Sequence, residues 1–276
     1  MTNLNSCVQC NICVGQAFLS KGWFMSRMEK GAFRFKRFTI CHDRCAMKVG
    51  TDGVLLGAWA RGGKRILDIG TGSGLVALMM AQRFPDALVT GVEVEPNAFK
   101  QACENAKDSP FANRIDIVCG MIQDCFFPWK YDAVVCNPPY FSHSLRNPDK
   151  RRAMARHNDL LPFRDLFVSV SRLITDTGKF SMVIPEVVFP DIMKEVLLSG
   201  FFLSRKYELR TKVNKQVTRF LLEFSRERVE MPECREELIY IDENVRSEWY
   251  SQLTRNFYLT EEELLALKSS HQDKRK

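Results

Sequence analysis

An α/β fold with a mostly parallel central sheet is the architecture this sequence predicts, and three observations carry it. Short apolar runs alternate with amphipathic stretches from Arg65 to Ser199, the pattern of strands covered by helices on both faces. Glycines punctuate the step from the first of these strands into a helix. Two β-patterned runs, Phe201 to Thr211 and Val217 to Arg226, follow each other across a basic turn, which predicts an antiparallel pair at the sheet edge. Together these runs predict a seven-stranded, mostly parallel sheet with an antiparallel edge strand.

In order, Arg65 to Ile69, Leu88 to Glu93, Ile115 to Cys119, Tyr131 to Cys136 and Lys179 to Pro185 read as strands, because each is short, apolar and β-branched. Leu75 to Phe84, Pro96 to Lys107, Leu161 to Ile174 and Val188 to Ser199 read as helices. Ahead of them, Phe33 to Ile40 alternates aromatic and basic residues, as a half-buried strand or ribbon does. The glycine-punctuated Lys48 to Trp59 leads into an apolar helix, with Thr51 and Asp52 as natural N-cap types. Residues 27–259 read as a single domain. Residues 1–26 read as a cysteine-containing leader, a disordered or start-site extension with Met25 or Met28 as the natural beginning. Residues 260–276 read as a charged tail that opens with a short helix.

Composition narrows the class. The 276 residues are 45% hydrophobic and 26% charged, ordinary for a globular protein. No apolar run approaches the ~20 residues needed to span a bilayer, and no signal peptide opens the chain, so a cytoplasmic protein is expected. A net charge of +7 with clustered basic residues favours a polyanionic partner. The ten cysteines lack a secretory context and read as thiols, with Cys103, Cys119 and Cys136 as small core residues. Cys7, Cys10 and Cys13 have a metal-ligand spacing. Cys41, His42 and Cys45 are the candidate completing ligands, but none repeats the spacing, and no metal is expected.

Two segments carry chemistry. Asp68-Ile-Gly70-Thr71-Gly72-Ser-Gly74 ends the first strong strand and opens a helix, so backbone can approach a ligand at the sheet's carboxyl edge. Leu75 stands where a dinucleotide site would want a third glycine, and an acid at Asp68 would repel a pyrophosphate. The acid followed by Gly-x-Gly-x-Gly resembles motif I of class I, Rossmann-like S-adenosylmethionine methyltransferases, whose cofactor carries an ammonium and a sulfonium. Glu93 ends the next strand 23 residues after Gly70, where a carboxylate can accept both ribose hydroxyls. That family has an acid for the adenine amine just after Gly120. This chain has Met121 there, which leaves Asp124 or the backbone amide of Ile122 to hold the ring.

The second segment is Asn137-Pro138-Pro139-Tyr140 at the end of the fourth strand. Two prolines fix the backbone around one amide and one aromatic ring. The tetrapeptide resembles motif IV of methyltransferases acting on adenine N6, cytosine N4 or glutamine N5. The resemblance implies that Asn137 and the Pro138 carbonyl accept hydrogen bonds from a flat amine while Tyr140 stacks on it. Arg146, Lys150, Arg151, Arg152 and Arg156 follow directly, and Arg205, Lys206, Arg210, Lys212, Lys215 and Arg219 form a second basic set. Both suit phosphate contacts, with a looped RNA as the substrate whose base is least costly to unstack.

Met47-Lys-Val-Gly-Thr-Asp-Gly-Val-Leu-Leu-Gly-Ala-Trp59, the Asp68 loop, Asn137 to Phe141, Ala155-Arg-His157 and Leu253-Thr-Arg-Asn-Phe-Tyr-Leu259 together resemble bacterial tRNA1(Val) adenine N6-methyltransferases, over about Phe33 to Leu259. The resemblance implies methylation of the adenine at position 37, beside the anticodon of a valine tRNA. It assigns Asp68, Gly70, Thr71, Gly72, Gly74 and Glu93 to S-adenosylmethionine, Thr51 and Asp52 to the cofactor or target pocket, and His157 to ordering the basic loop. The anticodon arm is the expected partner, with no membrane and no obligate protein. The alternatives are a glutamine N5-methyltransferase of release factors, which would carry a sizeable helical domain where this chain has 64 residues before Arg65, a DNA adenine methyltransferase, and a noncatalytic RNA-binding protein.

Overall fold

The computed structural model describes residues 31–45, 48–138, 161–243 and 245–263. A short hairpin, β1 (Ala32–Arg34) and β2 (Thr39–Cys41), opens the described chain and forms its own two-stranded sheet. The expected ribbon is therefore two strands around a turn, with Phe35, Phe38 and Ile40 buried. Helix α1 (Thr51–Trp59) leads to β3 (Arg65–Ile69), α2 (Leu75–Arg83), β4 (Leu88–Glu93), α3 (Pro96–Lys107), β5 (Ile115–Cys119) and β6 (Tyr131–Cys136). Then come α4 (Phe163–Leu173), β7 (Ile174–Pro185), α5 (Phe189–Ser199), β8 (Phe202–Arg210), β9 (Val217–Ser225), β10 (Glu233–Leu238) and α6 (Glu248–Thr254).

The large sheet has the order β10-β8-β9-β7-β6-β3-β4-β5. All neighbours pair in parallel except β9, which runs against both β7 and β8. The sequence predicted seven strands with the reversed one at the edge, and the structure corrects both points. Eight strands are described, and β9 lies inside the sheet with β8 and β10 beyond it. Strand β10 escaped the sequence reading because Glu-Cys-Arg-Glu-Glu-Leu has no apolar alternation. It is held to β8 by polar pairs, with Tyr207 donating to Glu233 at 2.6 Å and Arg205 pairing with Glu233 at 3.3 Å.

Helix boundaries follow local rules. Pro96 sits in the first turn of α3, and Glu95 caps it by accepting the N–H groups of Asn97 and Ala98. The buried residues Ala98, Gln101, Ala102, Asn105 and Ala106 form one stripe of this helix. Gly50 is the N-cap of α1, in an extended conformation. Thr51 and Asp52, expected as caps, are its first two helical residues. The tail opens with a reciprocal cap, Thr260 and Glu263 each bonding the other's N–H.

Two cores cover the two faces. One gathers α1, α2 and the hairpin over the sheet. The other packs α4 and α5 around Phe167, Phe180, Phe201 and Phe224, with Phe167 and Phe180 centroids 5.4 Å apart. Cys136 is buried as expected, but Cys119 is exposed because β5 is the outermost strand. Among the described residues no helix is long and apolar enough to cross a membrane, and no group of three His, Cys, Asp or Glu is placed to hold a metal. Cys7, Cys10 and Cys13 lie outside the described residues.

The costliest feature of the sheet is Glu223, fully buried on β9. Arg205 approaches it at 3.1 Å and Arg61 at 3.6 Å, while Ser204 donates to it at 3.1 Å. The Arg205 guanidinium also lies over the Trp59 ring at 4.0 Å. Removing Arg205 leaves a buried carboxylate short of its main partner, so Arg205→Ala is expected to destabilise by about 3 kcal/mol, read as a lower urea midpoint. Pairing Arg205→Met with Glu223→Gln should recover most of that loss. An unchanged midpoint in the single variant would mean that Arg61 alone suffices.

Candidate active site

The chain leaves β3 toward β4 and β5, then crosses back to β6 on the other side of β3. At such a reversal the connections diverge and open a crevice beyond the strands' carboxyl ends. Asp68 on β3 lies opposite Val135 on β6, and Ile69 opposite Cys136. The glycine loop and Asn137 therefore emerge side by side at this opening.

The loop is shaped by two buried carboxylates. Asp68 Oδ2 accepts the Thr71 hydroxyl at 2.6 Å and the Ala77 N–H of α2 at 3.0 Å. Glu93 Oε2 accepts the Gly72 N–H at 2.8 Å, and its Oε1 accepts the Glu95 N–H at 2.9 Å. The Gly70 and Thr71 amides both donate to the Val92 carbonyl. Gly70, Gly72 and Gly74 all have positive φ, at 69°, 57° and 82°, a conformation that a Cβ would strain. A Cβ at Gly70 or Gly72 would meet nothing within 4 Å. The loop thus presents bare backbone to open space beside a carboxylate with spare lone pairs, a fit for a cationic nucleoside such as S-adenosylmethionine. Glu95, two residues beyond Glu93, is occupied as the cap of α3.

Gly91 of β4 was not singled out from the sequence, although an isolated strand glycine signals a close backbone approach. A Cβ there would come within 3.0 Å of the Thr71 side chain, so the loop sits directly on β4. Beyond β5, Asp124 is exposed, while Ile122 is buried in the second core. Arg172 of α4 holds this segment by donating to the carbonyls of Cys125, Ile122 and Gln123 at 2.8, 3.1 and 3.3 Å. That clamp had no signal in the sequence, because it joins residues about 50 apart.

Asn137 is half-buried and Pro138 buried. A Cβ on Gly53 would lie 3.8 Å from Asn137 Nδ2 and 3.1 Å from Leu75, so the first turn of α1 packs beside the amide. Thr51 and Asp52 stand in that turn, half-buried. Asp52 Oδ2 accepts from Arg219 Nε at 2.9 Å, so one expected pocket residue and one expected RNA contact are paired with each other. Lys212 and Lys215 lie on the β8–β9 turn, at the same carboxyl edge, with Lys212 near Glu243 at 3.8 Å. Pro139, Tyr140, Arg146, Lys150, Arg151, Arg152, Arg156 and His157 lie outside the described residues.

Burial, with the neighbouring Asp68 adding to it, pushes the Cys136 thiol well above its ordinary range, so no thiolate stands beside Asn137. Burial and the Glu93 and Glu95 carboxylates push Cys45 up to about 12. Burial likewise pushes the Asp68 carboxyl from 3.8 up to about 7, against its two hydrogen bonds. Folding raises this pKa, so the stability it contributes is complete below about pH 4 and is lost as pH rises through about 7. Urea unfolding across pH 4 to 7 should therefore show a decline that Asp68→Asn flattens. Parallel profiles in the two proteins would mean that Asp68 stays ionised throughout.

A family model for a methyltransferase domain matches residues 66–162. A crystal structure of a predicted O-methyltransferase from Agrobacterium tumefaciens superposes with a TM-score of 0.58 over 75% of this chain and 96% of that one. At 18% identity it shows the fold alone. A Bacteroides fragilis protein named tRNA1(Val) (adenine(37)-N6)-methyltransferase is 44% identical over 240 residues, covering 84% of this chain and 99% of its own. The protein of the same name from Mannheimia succiniciproducens is 41% identical over 243 residues, covering 86% of this chain and 98% of its own. With the reversed β9, the glycine loop and Asn-Pro at one sheet edge, this chain belongs to the tRNA1(Val) (adenine(37)-N6)-methyltransferase family.

Proposed function

We propose that this protein transfers a methyl group from S-adenosylmethionine to the exocyclic N6 of an adenine in tRNA, at position 37 beside the anticodon of tRNA1(Val). The observation that carries this reading is the convergence of Asn137 and the Asp68 to Gly74 loop at the β3–β6 opening, in a chain that matches its named relatives over almost their whole length.

When bound, S-adenosylmethionine supplies an electrophilic methyl group. The protein's task is then to make a poor nucleophile reactive. An aryl amine delocalises its lone pair into the ring. The Asn137 side-chain oxygen and the Pro138 carbonyl would each accept one N–H of that amine, which favours a tetrahedral nitrogen and returns the lone pair. The nitrogen is cationic once it has bonded carbon and sheds a proton to solvent, so no strong base is needed. This agrees with the absence of an ionised thiol beside Asn137. Catalysis rests on positioning and on fixed dipoles. Tyr140 would stack on the base, worth about 1 to 3 kcal/mol.

Glu93 and the bare backbone at Gly70 and Gly72 would hold the cofactor, with Thr51 and Asp52 at the junction of the two ligands and Asp124 or the Ile122 amide on the adenine ring. Lys212 and Lys215 flank the opening, and the run from Arg146 to Arg156 follows Asn137 directly in the chain. Both sets suit the phosphates of an anticodon arm. Arg219 would join them with the guanidinium nitrogens that Asp52 leaves over.

Asn137→Ala is expected to abolish methyl transfer while calorimetry still registers S-adenosylmethionine binding. Equal loss of cofactor affinity would refute its place at the target amine. Lys212→Ala with Lys215→Ala should weaken tRNA binding and flatten the logarithmic salt slope by about 1.4 to 1.8. An unchanged slope would make that turn a solvated surface only. The substrate itself is tested by incubating the protein and labelled cofactor with total tRNA from a strain lacking the enzyme. N6-methyladenosine next to a valine anticodon is expected, and label in protein instead would favour the glutamine reading.

A further inference from the structure

One buried amide beside the glycine loop is engaged by backbone on either side of it. Asn105, in the last turn of α3, is 4% exposed. Its Nδ2 donates to the carbonyls of Ser73 and Cys41, both at 2.8 Å, and its Oδ1 accepts the Cys41 N–H at 3.0 Å. Both amide donors are used, which fixes the orientation of the group.

Each end of this clasp matters. Ser73 stands between the positive-φ residues Gly72 and Gly74. In a helix that starts at Leu75, the N–H of Ala77 has no acceptor within the helix. Asp68 accepts it, and Asn105 takes the Ser73 carbonyl just outside the first turn. Two side chains thereby share the entrance of α2. At the other end, Asn105 meets both backbone groups of Cys41, as a neighbouring strand would. The same face of α3 holds the residues that follow β2, since Gln101 accepts the Arg44 N–H at 3.4 Å and Glu104 pairs with the Arg44 guanidinium at 2.9 Å. The chain then reaches Cys45, within the field of Glu93.

We infer that Asn105 is a positioning residue for the cofactor loop, holding the Ser73 carbonyl and the N-terminal hairpin with one amide so that Gly70 to Gly74 keep their binding shape. The inference rests on the reading that this crevice takes S-adenosylmethionine. A loop with three positive-φ glycines has several accessible shapes, and affinity falls in proportion to the fraction that is competent to bind. Loss of the clasp therefore lowers cofactor affinity without altering the chemistry of the molecules that do bind.

The test is calorimetric titration of wild-type and Asn105→Ala protein with S-adenosylmethionine, alongside tRNA binding without cofactor and kcat at saturating cofactor. We expect the cofactor Kd to rise about tenfold, which corresponds to a competent fraction of about one tenth. Both tRNA affinity and saturated kcat should stay within about twofold. A folded variant whose cofactor Kd is unchanged overturns the inference, as does an equal loss of tRNA affinity. If Asn105→Ala does not fold, Asn105→Asp carries the same expectation, because it keeps the volume and the acceptor for the Cys41 N–H but lacks the donors to the Ser73 and Cys41 carbonyls. Wild-type protein that fails to bind S-adenosylmethionine at all would instead strike down the functional reading.

Discussion

Everything at the candidate site depends on the reversal of strand order between β3 and β6. Parallel strands end their chains at one edge, and helices leave that edge on whichever face the next crossover requires. Only where two crossovers part in opposite directions is the edge uncovered. Here the parting strands are β3, which delivers Asp68 and the glycine loop, and β6, which delivers Asn137. Two half-sites that are distant in sequence become neighbours through backbone pairing alone.

The crevice is prepared before any ligand enters, and buried carboxylates do this work. Asp68 and Glu93 are each nearly inaccessible, which is costly for an ionised group unless it is hydrogen-bonded. Each spends at least one oxygen on the loop's own backbone or hydroxyl groups. The result is bare backbone beside carboxyl oxygens, suited to a cationic ligand. Glu223 follows a different logic, since it is paired with Arg205 on β8 and with Arg61 in the connection from α1 to β3.

Basic residues are abundant, but tertiary contacts divide them into two populations. Arg172 and Arg205 are committed to carbonyls or carboxylates within the fold and Arg219 is shared with Asp52, so net charge alone overstates what is offered to a polyanion. The cations on the β8–β9 turn remain at the surface, at the edge where Asn137 emerges. A strand reversed inside the sheet is what brings that turn there, because β8 must end and β9 must begin at the carboxyl edge.

The sequence by itself determined most of the central strands and helices to within two residues, although β7 starts at Ile174, ahead of the Lys179 read from the sequence. β3, β4, β5, β6 and α3 have the predicted bounds, because short β-branched runs mark the strands and a helix covering the sheet must be striped. It also determined the motif positions, since positive-φ glycines and Asn-Pro turns are local demands. Tertiary structure decided what local patterns cannot encode. It placed β9 inside the sheet, added β10 through charge pairs instead of periodicity, and made Gly50 the cap of α1. It turned Asp52 toward Arg219, and it gave Asn105 and Arg172 their carbonyl partners. Apart from the Gly50 cap, the deciding interaction joins groups far apart in the chain, and the energy of satisfying a buried polar group depends on which neighbour the fold supplies.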